Sequence, residues 1–114
     1  MRCPACLMLL LALAACTGFE RAESGAMLTA FPNPVVVCDG TGLARVRMAW
    51  FREGMSWVQL RVGSPDGSLL AIGPSHGDQW TGKWVHDGAV FYVVDAATGD
   101  VLAQTTVEVR RDCD

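Results

Sequence analysis

The sequence predicts an all-β fold, a small sandwich of about seven strands, and three observations predict it. Short runs rich in Val, Phe, Trp and Tyr alternate apolar with polar residues, the period-two pattern of half-buried strands. Clusters of Gly, Pro, Asp, Asn and Ser separate these runs about every eight to twelve residues, the spacing of a sandwich or barrel. No segment sustains a 3.6-residue period, so no amphipathic helix competes for the chain. The 114 residues leave room for one domain.

The first run, residues 27–31, stops at Pro32-Asn33-Pro34 and resumes at residues 35–38. A strand interrupted by prolines and then continued belongs at a sheet edge, because proline offers the ladder no N–H. Asp39-Gly40-Thr41-Gly42 ends it. In residues 45–51, Val46, Met48 and Trp50 share one face, and Arg45 and Arg47 share the other, which assigns Trp50 to the core. Residues 57–62 alternate likewise, with Val58, Leu60 and Val62 inward and Trp57, Gln59 and Arg61 outward. Residues 64–68 (SPDGS) form a turn, in which Pro presets φ and Gly accepts a positive φ. Residues 69–72 are a short edge strand that offers a route to oligomerisation, residues 73–79 a loop and residues 80–85 a strand. After the Asp87-Gly88 turn come residues 90–95, rich in β-forming side chains. Thr98-Gly99-Asp100 makes a hairpin. Residues 101–109 are expected to be the longest strand, with Val101, Ala103, Thr105, Val107 and Val109 on one face.

The N-terminus reads differently. Met1-Arg2 is a minimal positive start, and the apolar run LMLLLALAA follows at residues 7–15. It is far shorter than the roughly 20 residues that span a bilayer and matches the core of an export signal. The run ends Leu13-Ala14-Ala15-Cys16, which resembles the lipobox of bacterial lipoproteins. That resemblance implies cleavage before Cys16 and lipid, diacylglycerol with palmitate, on its thiol. Residues 1–15 are then the signal peptide, residues 16–25 a lipidated N-terminus with a polar tether, and residues 26–114 the domain. The alternative is an ordinary secretory signal cleaved after Ala14 or Ala15, leaving a free thiol. Thr17, where an aspartate would signal inner-membrane retention, favours the outer membrane of the cell envelope.

Five cysteines look odd for an exported chain, and position resolves the count. Cys3 and Cys6 leave with the signal and Cys16 carries lipid. Cys38 and Cys113 remain, 75 residues apart, in an oxidising compartment that favours pairing. Closing a loop of that length contributes about 4 kcal/mol by chain entropy. Two unpaired buried thiols are the alternative. A metal site is disfavoured, since no histidine neighbours either cysteine in sequence.

The stretches LTAFPNPVVVCDGTGLARVRMAW, VQLRVGSPDGSLLA and TGKWVHDGAVFYVVDAATGDVLAQTTVEV together resemble a bacterial immunoglobulin-like module. Such modules recur in secreted and glycosyltransferase-associated proteins. The resemblance covers Met27 to Val109 and departs at Ala44-Arg45, where a glycine and a small polar residue are expected. It implies an immunoglobulin-like or fibronectin-III-like sandwich and carries no established activity. It also implies that the second half of the first strand pairs in parallel with the last strand, which puts Cys38 and Cys113 at one end of the domain. Finally, it implies that Tyr92 and Val94 face inward and Phe91 outward.

The formal net charge is −3. Losing residues 1–15 removes Arg2 and leaves eight basic against twelve acidic residues, a balance of −4 that gives no reason to expect nucleic acid. Lys83 is the sole lysine, so no polybasic tract addresses anionic lipid. Catalytic, metal and cofactor motifs are wanting. Ser75-His76 are loop neighbours, no G-x-S-x-G elbow exists, and Asp39, Asp66, Asp87 and Asp100 sit beside turns where Asp serves the backbone. His76-x-Asp78 and His86-Asp87 lack the spacing of a specific metal site. Four tryptophans are a high load for so small a domain. The outward phase of Trp57, with Phe91 outward on a neighbouring strand and Arg61 beside them, predicts an exposed aromatic patch; Trp80 and Trp84, on either side of Lys83, would either extend it or plug one end of the core. Such a patch marks a binding surface.

The expected function is non-enzymatic: a lipid-anchored module that contacts an envelope protein, with carbohydrate binding through exposed Trp residues as the alternative. Replacing the lipidated residue tests the anchor. A Cys16→Ser chain is expected to escape lipid-dependent processing and to leave the membrane fraction on cell fractionation; unchanged membrane association would reject the lipobox.

Overall fold

The computed structural model describes residues 25–113; the expected export signal, the expected lipidation site Cys16 and nearly all of the expected tether lie outside the described residues. Nine strands form among the described residues: β1 (Ala26–Phe31), β2 (Val35–Val36), β3 (Arg47–Arg52), β4 (Val58–Val62), β5 (Ser68–Gly73), β6 (His76–Trp80), β7 (Val90–Asp95), β8 (Val101–Thr106) and β9 (Val109–Arg110). They make a three-stranded sheet ordered β1-β3-β6, a four-stranded sheet ordered β5-β4-β7-β8, and a β2-β9 pair. All pairings are antiparallel except β2 with β9, which is parallel. The expected all-β class holds.

The two larger sheets share one core, as in a small β-sandwich. Leu28, Met48 and Trp50 come from the three-stranded sheet, and Val58, Leu60, Phe91, Val93 and Leu102 from the four-stranded sheet. Trp50 is buried as expected, and its Nε1 donates to the Pro74 carbonyl at 3.1 Å. The first strand switches sheets at Pro32-Asn33-Pro34. Beyond the switch, Val35 N–H donates to the Glu108 carbonyl and Val37 N–H to that of Arg110, each at 2.9 Å. The parallel pairing brings Cys38 and Cys113 to a Cα separation of 5.7 Å, and they form a disulfide.

Four elements differ from expectation. Residues 76–80 are strand β6 rather than loop. Gly77 lies opposite Trp50, and a Cβ there would stand 2.8 Å from the indole. The tryptophan supplies the apolar cover that the strand's own sequence lacks. Residues 80–85 are not a strand. Pairing continues through Thr81, which exchanges hydrogen bonds with Val46, and the chain then turns before Val85 bridges Ala44. Residues 101–109 split into β8 and β9. The split comes at Val107, whose N–H donates to the Ala89 carbonyl before the chain leaves β7 to pair with β2; within β8 a bulge leaves Leu102 between the pairs Val93–Ala103 and Val94–Val101, with Leu102 buried and Val101 exposed. In β7 the inward residues are Phe91 and Val93, not Tyr92 and Val94. Val94 is buried on the opposite face, paired across to Gln59.

One ion pair closes the sandwich where the chain enters. Arg52 follows Met48 and Trp50 on the inner phase of β3 and meets Asp95 of β7, with Nη1 to Oδ2 at 2.6 Å and side chains 18% and 11% exposed. Asp95 Oδ1 also accepts the Ala97 and Thr98 N–H groups at 2.8 and 3.0 Å, capping the β7–β8 turn. The Arg52 hydrogen bond, followed by those two backbone donors, holds the Asp95 carboxyl below its ordinary pKa. A depressed carboxylate pKa adds stability that is full above the unfolded value, about 3.9, and is lost as pH falls through the folded value. Asp95→Asn is therefore expected to cost about 2 kcal/mol at pH 7. The difference from the parent chain should shrink below about pH 4, as checked by urea unfolding across pH.

Candidate binding surfaces

Three surfaces follow from the strand register. The first is the outer face of the three-stranded sheet. Its cross-strand rows are Met27–Phe51–His76, Thr29–Ala49–Asp78 and Phe31–Arg47–Trp80. These residues alternate with the core residues Leu28, Met48 and Trp50, so the pleat turns them all to solvent. Phe31 is 70% exposed and Trp80 46%. With Met27 and Phe51 they put four large apolar side chains on this face, interleaved with Thr29, Arg47, His76 and Asp78. The Arg45 guanidinium stacks 4.8 Å from the Trp80 ring centroid, and Arg47 Nη1 stands 3.7 Å from Asp78 Oδ2. Both cations thus lie on the aromatic row that ends at Trp80.

The second surface is the outer face of the four-stranded sheet. Gln59, Arg61 and Val94 floor an open groove of about 530 Å³ rimmed by Pro65, Asp66 and Gly99. Arg61 is committed within the protein. Its Nε and Nη2 donate to Gln59 Oε1 at 3.2 and 2.8 Å, and its Nη1 to the Gly67 carbonyl at 2.8 Å. It braces the β4–β5 turn. The third surface is a mainly apolar groove of about 480 Å³ between residues 35–39 and residues 43–45, with Lys83 at its rim. Lys83 is ion-paired with Asp39, whose carboxyl is driven far below its ordinary pKa first by that contact and then by Thr41.

The expected patch of Trp57, Arg61, Trp80 and Phe91 is not brought together. Trp57 is 57% exposed just before β4, on the outward phase predicted for it. Arg61 shares that face. Trp80 lies on the other sheet. Phe91 is wholly buried and stacks on Trp84, with centroids 6.1 Å apart. The run VFYVV is apolar on both phases, so alternation alone cannot choose its inner side. The phenyl ring, with no polar tip to satisfy, fills the core, and Tyr92 stays half-buried on the other face. The sequence reading missed Met27, Phe31 and Phe51. The signal was present: Ala49 and Phe51 continue the phase of Arg45 and Arg47, so this outward face changes from charged to apolar along one strand.

The turn aspartates brace their own turns and neighbouring strands. Asp39 accepts from Thr41, Asp66 from Ser64 Oγ at 2.9 Å, and Asp87 from Val109 N–H at 2.8 Å. His86 Nδ1 lies 2.9 Å from the Asp87 carbonyl, and Asp78 pairs with Arg47 rather than with His76. Among the described residues no three His, Cys, Asp or Glu side chains gather as a metal site would need. Comparison with protein-family models, curated proteins and solved structures returned no match.

Two substitutions separate surface from core. Trp57→Ala is expected to change unfolding free energy by less than about 1 kcal/mol. Phe91→Ala should cost about 3–5 kcal/mol. Denaturant titration of the two variants checks the assignment, and a large loss for Trp57→Ala would place that ring in the core.

Proposed function

We propose that the chain is a lipid-anchored, immunoglobulin-like binding module that presents the outer face of its three-stranded sheet to a protein at the cell envelope. The observation that carries this reading is the outer face of this sheet, where Met27 with Phe51 and Phe31 with Trp80 leave four large apolar side chains in solvent, in the two rows that flank Thr29, Ala49 and Asp78. A flat apolar face of aromatic character with arginine at its border has the composition of a protein-interface hot spot. Arg45 and Arg47 call for a partner with an apolar centre and a carboxylate facing the Trp80 row. The lipobox motif Leu13-Ala14-Ala15-Cys16 supports the anchor. The split into β1-β3-β6 and β5-β4-β7-β8 sheets, with a switching first strand, supports the immunoglobulin-like identity.

Carbohydrate binding is less well supported. Sugars stack on open ring faces, and the Arg45 guanidinium already occupies one face of Trp80. That ring also lies on a flat sheet rather than in a groove.

A photoreactive residue at Thr29, in the middle of the face, tests the reading in intact cells carrying the full lipoprotein. The expected result is cross-linking to one discrete protein. Trp80→Ala should weaken that association by at least about 30-fold, the equivalent of a 2 kcal/mol hot spot. Cross-linking only to polysaccharide or peptidoglycan would replace the protein partner with a glycan.

A further inference from the structure

The place where the chain enters the fold carries a second apolar feature that the protein-binding face does not explain. The Glu53 N–H donates to the Gly25 carbonyl at 3.2 Å, and Ala26 pairs with Arg52. The loop of residues 53–57, between β3 and β4, is thus fastened to the first described residue of the chain. That loop reads Glu-Gly-Met-Ser-Trp. Met55 is 93% exposed, the most exposed large apolar side chain among the described residues, and Trp57 stands in solvent beside it. The ends of the loop are fixed. The Arg52 N–H donates to the Ser75 carbonyl at 2.7 Å, and the Trp57 carbonyl accepts from the Ala96 N–H at 3.0 Å. A fixed loop that projects methionine and tryptophan into solvent has no role in the core.

Sequence length says what lies near it. Cys16 is nine residues before Gly25, a reach of at most about 30 Å even for a fully extended chain. A lipid on Cys16 keeps this end of the sandwich at the bilayer surface, where the loop meets lipid at high effective concentration. Tryptophan favours the headgroup level, where its ring is apolar and its N–H finds water. The loop brings no free cation: Arg52 is spent on Asp95, and Glu53 is acidic. Any hold on lipid must therefore be apolar and insensitive to salt.

Resting on the lipid-anchor reading, we propose that Met55 and Trp57 dock the domain onto the phospholipid surface that holds Cys16. The contact sets the orientation of the domain on the bilayer and is too weak to hold it there without the lipid.

The test uses the full lipidated chain in vesicles of phosphatidylcholine and phosphatidylethanolamine. An environment-sensitive fluorophore is placed at Ser56→Cys, between the two docking residues, or at Leu69→Cys on the far half of β5 as reference. Mass spectrometry of the N-terminal peptide reports whether Cys16 is lipidated. The expected result is quenching by lipid-borne nitroxide several-fold stronger at position 56 than at 69, unchanged by added salt, and reduced to the reference level by Met55→Ser with Trp57→Ser. A lipidated chain with equal quenching at both positions overturns the loop contact alone. A chain with no lipid on Cys16 overturns the anchor and the contact together.

Discussion

The fold depends on one strand that serves two sheets. β1 pairs with β3, and four residues later β2 pairs with β9. At the crossing the backbone belongs to neither ladder, and each stranded donor there would carry a desolvation cost. Pro32 and Pro34 have no N–H to strand. Asn33 between them uses its side-chain amide as a spare peptide group. Its Nδ2 donates to the Thr106 carbonyl at 3.0 Å, and its Oδ1 accepts the Glu108 N–H at 2.9 Å. Those two bonds tie the switch to the chain between β8 and β9. The parallel β2-β9 pair follows from it, and the pair delivers Cys38 to Cys113. The disulfide thus closes a long loop whose ends the strands have already aligned.

How much of this was legible follows from the same physics. The broken first strand and the cysteine pair could be read because prolines and cysteines have few alternative roles, and the parallel partner of that strand was implied by the immunoglobulin-like resemblance. The bounds of β7 could be read as well, since VFYVVD has no competing helical period. The face of β7 could not, because burial there depends on what lies opposite. Phe91 meets Trp84, while Val94 meets Gln59. β6 was illegible for a related reason. HGDQW looks like loop until Trp50, 27 residues earlier, is laid over Gly77. Side-chain period is a local signal, whereas the cover that completes a strand comes from residues distant in the chain.

The surface was half legible. The outward phase of Trp57 follows from its own strand. The apolar face on the three-stranded sheet required knowing that residues 27–31 and 47–52 are neighbours in register. Only then do Met27 with Phe51 and Phe31 with Arg47 become rows. The arginines show the same dependence on partners. Arg52 and Arg61 are bound by groups within the fold, at Asp95 and at Gln59 with Gly67. Arg45, stacked on Trp80, and Arg47, paired with Asp78, lie on the exposed outer face. Four residues of one type thus divide into two that brace the fold and two that border the proposed binding face.

The two proposed contacts share a geometric consequence. β1 starts at the tether and runs away from it, so its rows lie at graded heights above an anchored end. The Met27–Phe51 row is nearest the tether, and the Phe31–Trp80 row is four residues further along the strand, about 14 Å at a strand rise of 3.4 Å per residue. With the proposed anchor and loop contact both in place, the face would stand upright on the bilayer instead of lying against it. The row that bears both arginines is then the one clear of the headgroups. A partner moving in or along the same membrane would meet the aromatic and cationic row first, at a height fixed by the Met55–Trp57 contact. Without that contact, a tether with a reach of about 30 Å would let the face turn toward any direction. Orientation thus becomes the link between the lipid-facing loop and the protein-facing sheet, and it makes a weak loop contact useful: the lipid supplies the attachment, and the loop has only to select among poses.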